Sequence, residues 1–248
     1  MRLKVLACKV LARELGYLAA FSKNYLDITT LRQGLHNTPE LLRKSLQEEI
    51  DRIDEGEDLH TSGSYYEEDF DAILLAYGLC SNGIVGISSK RYPLVVPRAH
   101  DCISLFLGSK EKYQQYFDTH RGVYWYNRGW LENTPMPGKR RYESTRGFYA
   151  ENYGEENADY LMDMEQNWLK EYKWCTFIGW PEFNDTEAKA ETMESASFLN
   201  WNYDEIQGNK GLLEDFLRGN WDGRFLVVPP GRTVSPSYDS SIIKVSEN

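Results

Sequence analysis

The chain has 248 residues, 41% hydrophobic and 14% aromatic, with a formal net charge of -10 and a pI near 5.0. Such a length and apolar content suit a single α/β domain with embellishment over residues 1–248, and the acidic balance without a basic stripe argues against DNA or RNA as the main partner. No apolar run reaches the roughly 18 residues that a membrane span needs, so no membrane association is expected and the protein reads as cytoplasmic.

Along the chain, residues 3–8 form an apolar strand, and 9–20 follow as a helix with Val10, Leu11, Leu15 and Leu18 near helical spacing. Residues 25–28 make a short strand. Thr38 is a helix N-cap and Pro39 sits at the first helical position, after which Leu42, Leu46, Ile50 and Ile53 form one apolar stripe down to Gly56. Residues 55–69 read as a polar surface connection. Residues 70–77 are nearly all apolar and predict a central strand. Gly78 to Gly83 form a tight loop, with a short helix beginning near Ile84. Leu94 to Val96 are a strand, Asp101 caps a helix over 102–107, and 110–117 form another.

Residues 121–155 are rich in Gly, Pro, Tyr, Trp and Arg with little period, and read as an irregular aromatic excursion that covers the site. Helical spacing returns over 157–172. A strand over 176–180, helices over 186–202 and 210–218, a last strand over 225–228 and a polar tail from Arg232 complete the chain. Strands alternating with helices predict a Rossmann-like α/β fold with a largely parallel sheet and flanking helices.

Chemistry gathers at the strand ends. Cys8, Cys80 and Cys102 each follow an apolar run, and ligands of open α/β sheets bind at the carboxyl edge of the strands. If the three strands are neighbours, three thiols and His100 meet there. The cysteines are then the candidate metal ligands, with zinc favoured and an iron–sulfur cluster as the alternative. Against this stands the plain reading that cysteines are small buried hydrophobes. Cys175 precedes its strand and belongs at the opposite edge.

His100 and His36 are candidate catalytic groups, each able to move a proton near neutral pH, while a turn or hydrogen-bonding role is the simpler reading of both. Tyr77, Asn82, Arg98, Asn37 and Trp125 are candidate contacts to a small-molecule substrate or cofactor. Arg98 could hold a carboxylate or serve a structural ion pair. The Gly78–Gly83 loop matches neither a dinucleotide nor a Walker fingerprint. His60 and His120 lie in polar stretches and receive no role, and Lys139-Arg140-Arg141 reads as a solvated turn.

His100-Asp101-Cys102 is similar in spacing to the zinc motif of corrinoid-linked methyltransferases. More broadly, the chain resembles the poorly characterised domain-of-unknown-function family 1638 of methanogens and anaerobic bacteria. The matching stretches are Cys8 with Arg13-Glu14-Leu15, the run from Leu35 to Leu41, the run from Tyr77 to Gly83, and the run from Pro97 to Ile103. They continue through Leu107–Tyr113 and Gly122–Trp125 to Gly129-Trp130-Leu131-Glu132. The resemblance implies no settled activity. It does imply an association with corrinoid methyl transfer, hence thiol or methyl chemistry, with a corrinoid protein or a methyltransferase as partner. A methyltransferase-type enzyme, a cluster- or cofactor-binding accessory protein without turnover, and a metal-free structural protein all remain open.

Overall fold

The computed structural model describes residues 1–57 and 69–246. His60 and most of the 55–69 connection lie outside the described residues. The chain divides into two compact units, Met1–Lys110 with Asn209–Asn248, and Glu111–Gly208, where the sequence reading has one domain.

The first unit opens with β1 (Arg2–Cys8), a short 3-10 turn, α1 (Ala12–Ala20) and β2 (Tyr25–Leu31). A 3-10 turn at Leu35–Asn37 leads into α2 (Pro39–Glu55). Leu42, Leu46, Ile50 and Ile53 are buried along one face of α2, and Gly56 closes it in the left-handed conformation, its N–H donating to the Arg52 and Ile53 carbonyls. Next come β3 (Ala72–Ala76), β4 (Leu94–Pro97) and α3 (Cys102–Leu107). The Asp101 carboxylate accepts from the Ile103 N–H at 3.0 Å, as an N-cap does. Residues 84–86 form turns, and no helix begins there.

The second unit contains α4 (Lys110–Thr119), β5 (Val123–Tyr126), α5 (Arg128–Asn133), α6 (Lys139–Tyr153), α7 (Glu155–Glu165), β6 (Trp174–Gly179), α8 (Thr186–Leu199) and β7 (Asn202–Gln207). Its strands pair in parallel in the order β5-β6-β7. Tyr126, Cys175, Phe177, Ala188 and Ala196 form its core. The stretch 121–155 is therefore regular: one strand and two helices stand where the sequence reading has irregular chain. Its aromatic residues mask the period because they serve both the sheet face and the helices. Lys139-Arg140-Arg141 is the first turn of α6 and no solvated loop.

The chain then returns to the first unit with α9 (Gly211–Arg218), β8 (Phe225–Val228), β9 (Val234–Pro236) and β10 (Ile243–Val245). The main sheet has five strands in the order β2-β1-β3-β4-β8. β1, β2, β3 and β4 run parallel and β8 is antiparallel to β4. β1, β3 and β4 are buried almost throughout, as expected of strands covered on both faces. Within this apolar layer Lys4 is wholly buried and its ammonium meets Asp27 on β2 at 2.9 Å. Among the described residues no helix is long and apolar enough to cross a membrane.

A candidate thiol site at the carboxyl edge of the main sheet

β1, β3 and β4 are adjacent and parallel, so the segments that leave them emerge side by side. Cys8 is the last residue of β1, Cys80 lies in the loop after β3, and Cys102 opens α3 after β4. The two loops continue the strand pairing: the Leu79 N–H donates to the Ala99 carbonyl at 2.8 Å, and the Cys80 N–H to the His100 carbonyl at 2.9 Å. This crossing requires glycine at position 78, where a Cβ would lie 2.5 Å from the Asp101 nitrogen.

Beyond the crossing the chain turns through Cys80, Ser81 and Asn82 with φ of 48, 56 and 67°, three left-handed non-glycine residues in a row. Each such residue costs roughly 1–2 kcal/mol, and backbone strain of this kind concentrates at functional loops. The turn is held by the Gly83 N–H, which donates to the Cys80 carbonyl at 2.9 Å, and by Arg43 of α2, which donates to the Asn82 carbonyl at 3.1 Å.

All three cysteines are free thiols. Burial pushes the Cys80 thiol up to about 12, reinforced by the Asp101 carboxylate and Cys8. Burial also raises Cys102, helped by Cys80, Asp101 and Cys8. Cys8 is raised by burial too, though the N–H groups of Val10 and Lys9 pull it back. Tyr77 is 4% exposed, its hydroxyl is buried without a hydrogen-bond partner among the described residues, and burial together with Cys8, Cys80 and Cys102 raises it well above the ordinary tyrosine range. The three sulfurs and this phenol thus lie within electrostatic reach of one another. Asp101, besides capping α3, is itself raised by burial.

The other sequence-predicted residues fall as follows. His36 and Asn37 are exposed in the 3-10 turn that follows β2, the neighbour of β1, and desolvation lowers the His36 imidazole. His100 is exposed beside Asp101, and its carbonyl is the Cys80 acceptor. Asn82 is exposed at the end of the left-handed turn. Arg98 donates to the Ser241 carbonyl at 3.0 Å and to the Ile243 carbonyl, so it fastens the C-terminal segment to the end of β4. This is a structural role for Arg98, though through backbone carbonyls rather than an ion pair, and the polar tail that it holds gave no sign of these contacts in the sequence.

Trp125 belongs to the second unit, 7% exposed and packed on Tyr113 and Tyr116. Cys175 is buried in β6 of the same unit, one residue inside the strand rather than before it. His120, without a role in the sequence reading, stacks on Tyr116 with ring centroids 4.0 Å apart. The Tyr116 hydroxyl reaches Asp204 at 2.6 Å and Thr176 at 2.9 Å. This cluster draws on three separate elements and left no local motif.

Thiols are soft donors of the kind that select zinc or copper(I). As placed, no group of three or more His, Cys, Asp or Glu among the described residues is arranged to hold a metal ion. The family model described as "Protein of unknown function (DUF1638)" matches residues 30–217. No curated protein and no solved structure matches the chain.

Proposed function

The chain belongs to the DUF1638 family of proteins of unknown function, and from its thiol edge we propose a metal–thiolate protein in which Cys8, Cys80 and Cys102 hold one soft metal ion, zinc by preference. The observation that carries this reading is that three free cysteines lie at the carboxyl edge of three adjacent parallel strands, near a buried Tyr77 hydroxyl that has no hydrogen-bond partner among the described residues.

The metal-free thiols do not support direct nucleophilic chemistry. A thiol needs a lowered pKa to react as thiolate, and here burial raises all three, with neighbouring groups adding to the rise at Cys80 and Cys102. A cation among them reverses the balance, because a coordinating thiol gives up its proton outright. Drawing the sulfurs in falls to the Cys80 loop, whose left-handed turn is the strained element of the edge. Tyr77 then offers its O–H to whatever lies beside the sulfurs. His36 and His100 are exposed on flanking loops and serve in this reading as its candidate proton carriers.

When bound to three thiolates with a fourth position open, zinc supplies a Lewis acid that acidifies a thiol or water. We assign the chain on this basis to thiol or methyl-transfer chemistry in one-carbon metabolism, with a corrinoid protein or methyltransferase as partner. What supports that assignment is the His100-Asp101-Cys102 spacing, similar to the zinc motif of corrinoid-linked methyltransferases. Anaerobic purification followed by metal analysis and an absorption spectrum tests it. A colourless protein with one zinc per chain is expected. Brown protein with iron and sulfide would replace the single ion by a cluster. Protein that neither contains nor takes up metal with its thiols reduced would sink the reading.

A further inference from the structure

Tyr77 stands one residue beyond β3, and Cys8 is the last residue of β1. Leu6 faces Leu75 and Ala7 faces Ala76 across the two strands, so the next pair in register is Cys8 with Tyr77. Residues paired in this way leave a sheet on the same face. Of the three cysteines, Cys8 is also the one that acts most strongly on the Tyr77 phenol, ahead of Cys80 and Cys102.

A buried tyrosine O–H ordinarily finds a partner, because a hydrogen bond left unmade in the interior is costly. The Tyr77 hydroxyl bonds to none of the described residues, the three sulfurs included. The chemistry of sulfur accounts for this. A neutral thiol is a weak acceptor, whereas a hydrogen bond to an ionised group is short and strong.

Cys8 has two further donors beside it. The N–H groups of Val10 and Lys9 favour its ionised form, yet its side chain makes no bond to the turn as placed. Cys80 and Cys102 each have one such backbone neighbour, Gly78 and the N–H of Cys102 itself. Two amides and one phenol therefore surround a sulfur that is a poor acceptor as a thiol and a good one as a thiolate. Cys80, by contrast, opens the left-handed turn.

We infer that Tyr77 is a positioning residue of the thiol site: its O–H donates to the Cys8 sulfur once a metal ion has ionised that thiol, and with the Lys9 and Val10 N–H groups it makes Cys8 the fixed ligand and Cys80 the more reactive one. The inference rests on the metal–thiolate reading. Anaerobic titration of the reduced full chain with cobalt(II), in wild type and Tyr77→Phe, tests both. Wild type should show a sulfur-to-cobalt charge-transfer band in the near ultraviolet. Tyr77→Phe should keep the band but move it to longer wavelength, since a thiolate without its hydrogen bond gives up an electron more readily. In competition with a chelator the variant should hold cobalt about 10–100-fold more weakly, as loss of an outer-shell partner does. Alkylation of the loaded chain, read residue by residue by mass spectrometry, should rise at Cys8 relative to Cys80, because a hydrogen bond that stabilises a thiolate also lowers its nucleophilicity. Without metal, the variant should unfold at the same urea concentration as wild type or a higher one, because it lacks a polar group buried without a partner. No band in wild type would remove the metal–thiolate reading and this inference with it. A band in wild type, with equal cobalt affinity and equal wavelength in Tyr77→Phe, would overturn this inference alone. So would a variant that loses urea stability and cobalt affinity together with its band unmoved, the mark of a merely structural tyrosine.

Discussion

Gly78 and Asp101 touch backbone to backbone: a Cβ on residue 78 would lie 2.5 Å from the Asp101 nitrogen and 2.6 Å from its Cα. This contact brings the loop bearing Cys80 against the loop bearing Cys102. Gly78→Ala should separate them. The expected cost is that of overpacking a tight site, about 1–3 kcal/mol, read as a lower urea midpoint together with faster alkylation of Cys80 and Cys102. An unchanged midpoint and unchanged alkylation would show that the two loops are not held by this approach.

The left-handed turn from Cys80 to Asn82 gives a prediction with two signs. Ser81→Gly removes steric strain at a φ of 56° and should leave stability unchanged or raise it by up to about 1 kcal/mol, since glycine's extra chain entropy offsets part of the gain. Ser81→Val should lower stability, because a β-branched side chain tolerates that conformation worst. Thermal unfolding of both variants decides it, and a more stable valine variant would rule out the left-handed conformation.

Stability should also fall in alkali through the thiols. Cys80 is raised from an ordinary 9.0 to about 12 in the folded chain. The folded state therefore holds its proton where the unfolded chain has lost it. The resulting stabilisation is fully present below about pH 9 and is lost as pH rises toward 12. Cys80→Ser should flatten the fall between these limits by on the order of 4 kcal/mol, about 1.4 kcal/mol for each pKa unit of the shift. Chemical denaturation at stepped pH under anaerobic, metal-free conditions measures it. Identical slopes in wild type and variant would mean that the thiol is not desolvated.

Lys4 and Asp27 supply a test of the sheet that carries the site. Lys4 is wholly buried on β1 and meets Asp27 on β2 at 2.9 Å. Asp27→Asn takes the anion from a buried cation and should cost about 3–5 kcal/mol, while the double variant Lys4→Met with Asp27→Leu should recover most of it. A single-variant loss below about 1 kcal/mol would indicate that the pair is solvated.

Much of this was legible in the sequence. The apolar runs before Cys8, Cys80 and Cys102 announced buried parallel strands, and Asp101 announced its helix by cap chemistry. The N-terminal half of β2 was visible, while its later residues Thr29, Thr30 and Leu31 carried no period of their own. β7, with the sequence Asn-Tyr-Asp-Glu-Ile-Gln, hid because an edge strand with a half-exposed face needs few apolar residues. β9 and β10 hid in a polar tail whose partner contacts are long-range, Arg98 among them. The three left-handed residues were beyond sequence reasoning, since only Asn82-Gly83 signals a turn there and the strain comes from the Gly78–Asp101 crossing.

The central claim is that Cys8, Cys80 and Cys102 share one metal ion. X-ray absorption at the zinc edge, on the full chain loaded anaerobically with one equivalent of zinc, tests it most directly. The account predicts three sulfur scatterers at about 2.3 Å, reduced to two in Cys102→Ser and unchanged in Cys175→Ser. A shell of nitrogen and oxygen alone, or a sulfur count that survives Cys102→Ser and falls with Cys175→Ser, would contradict it.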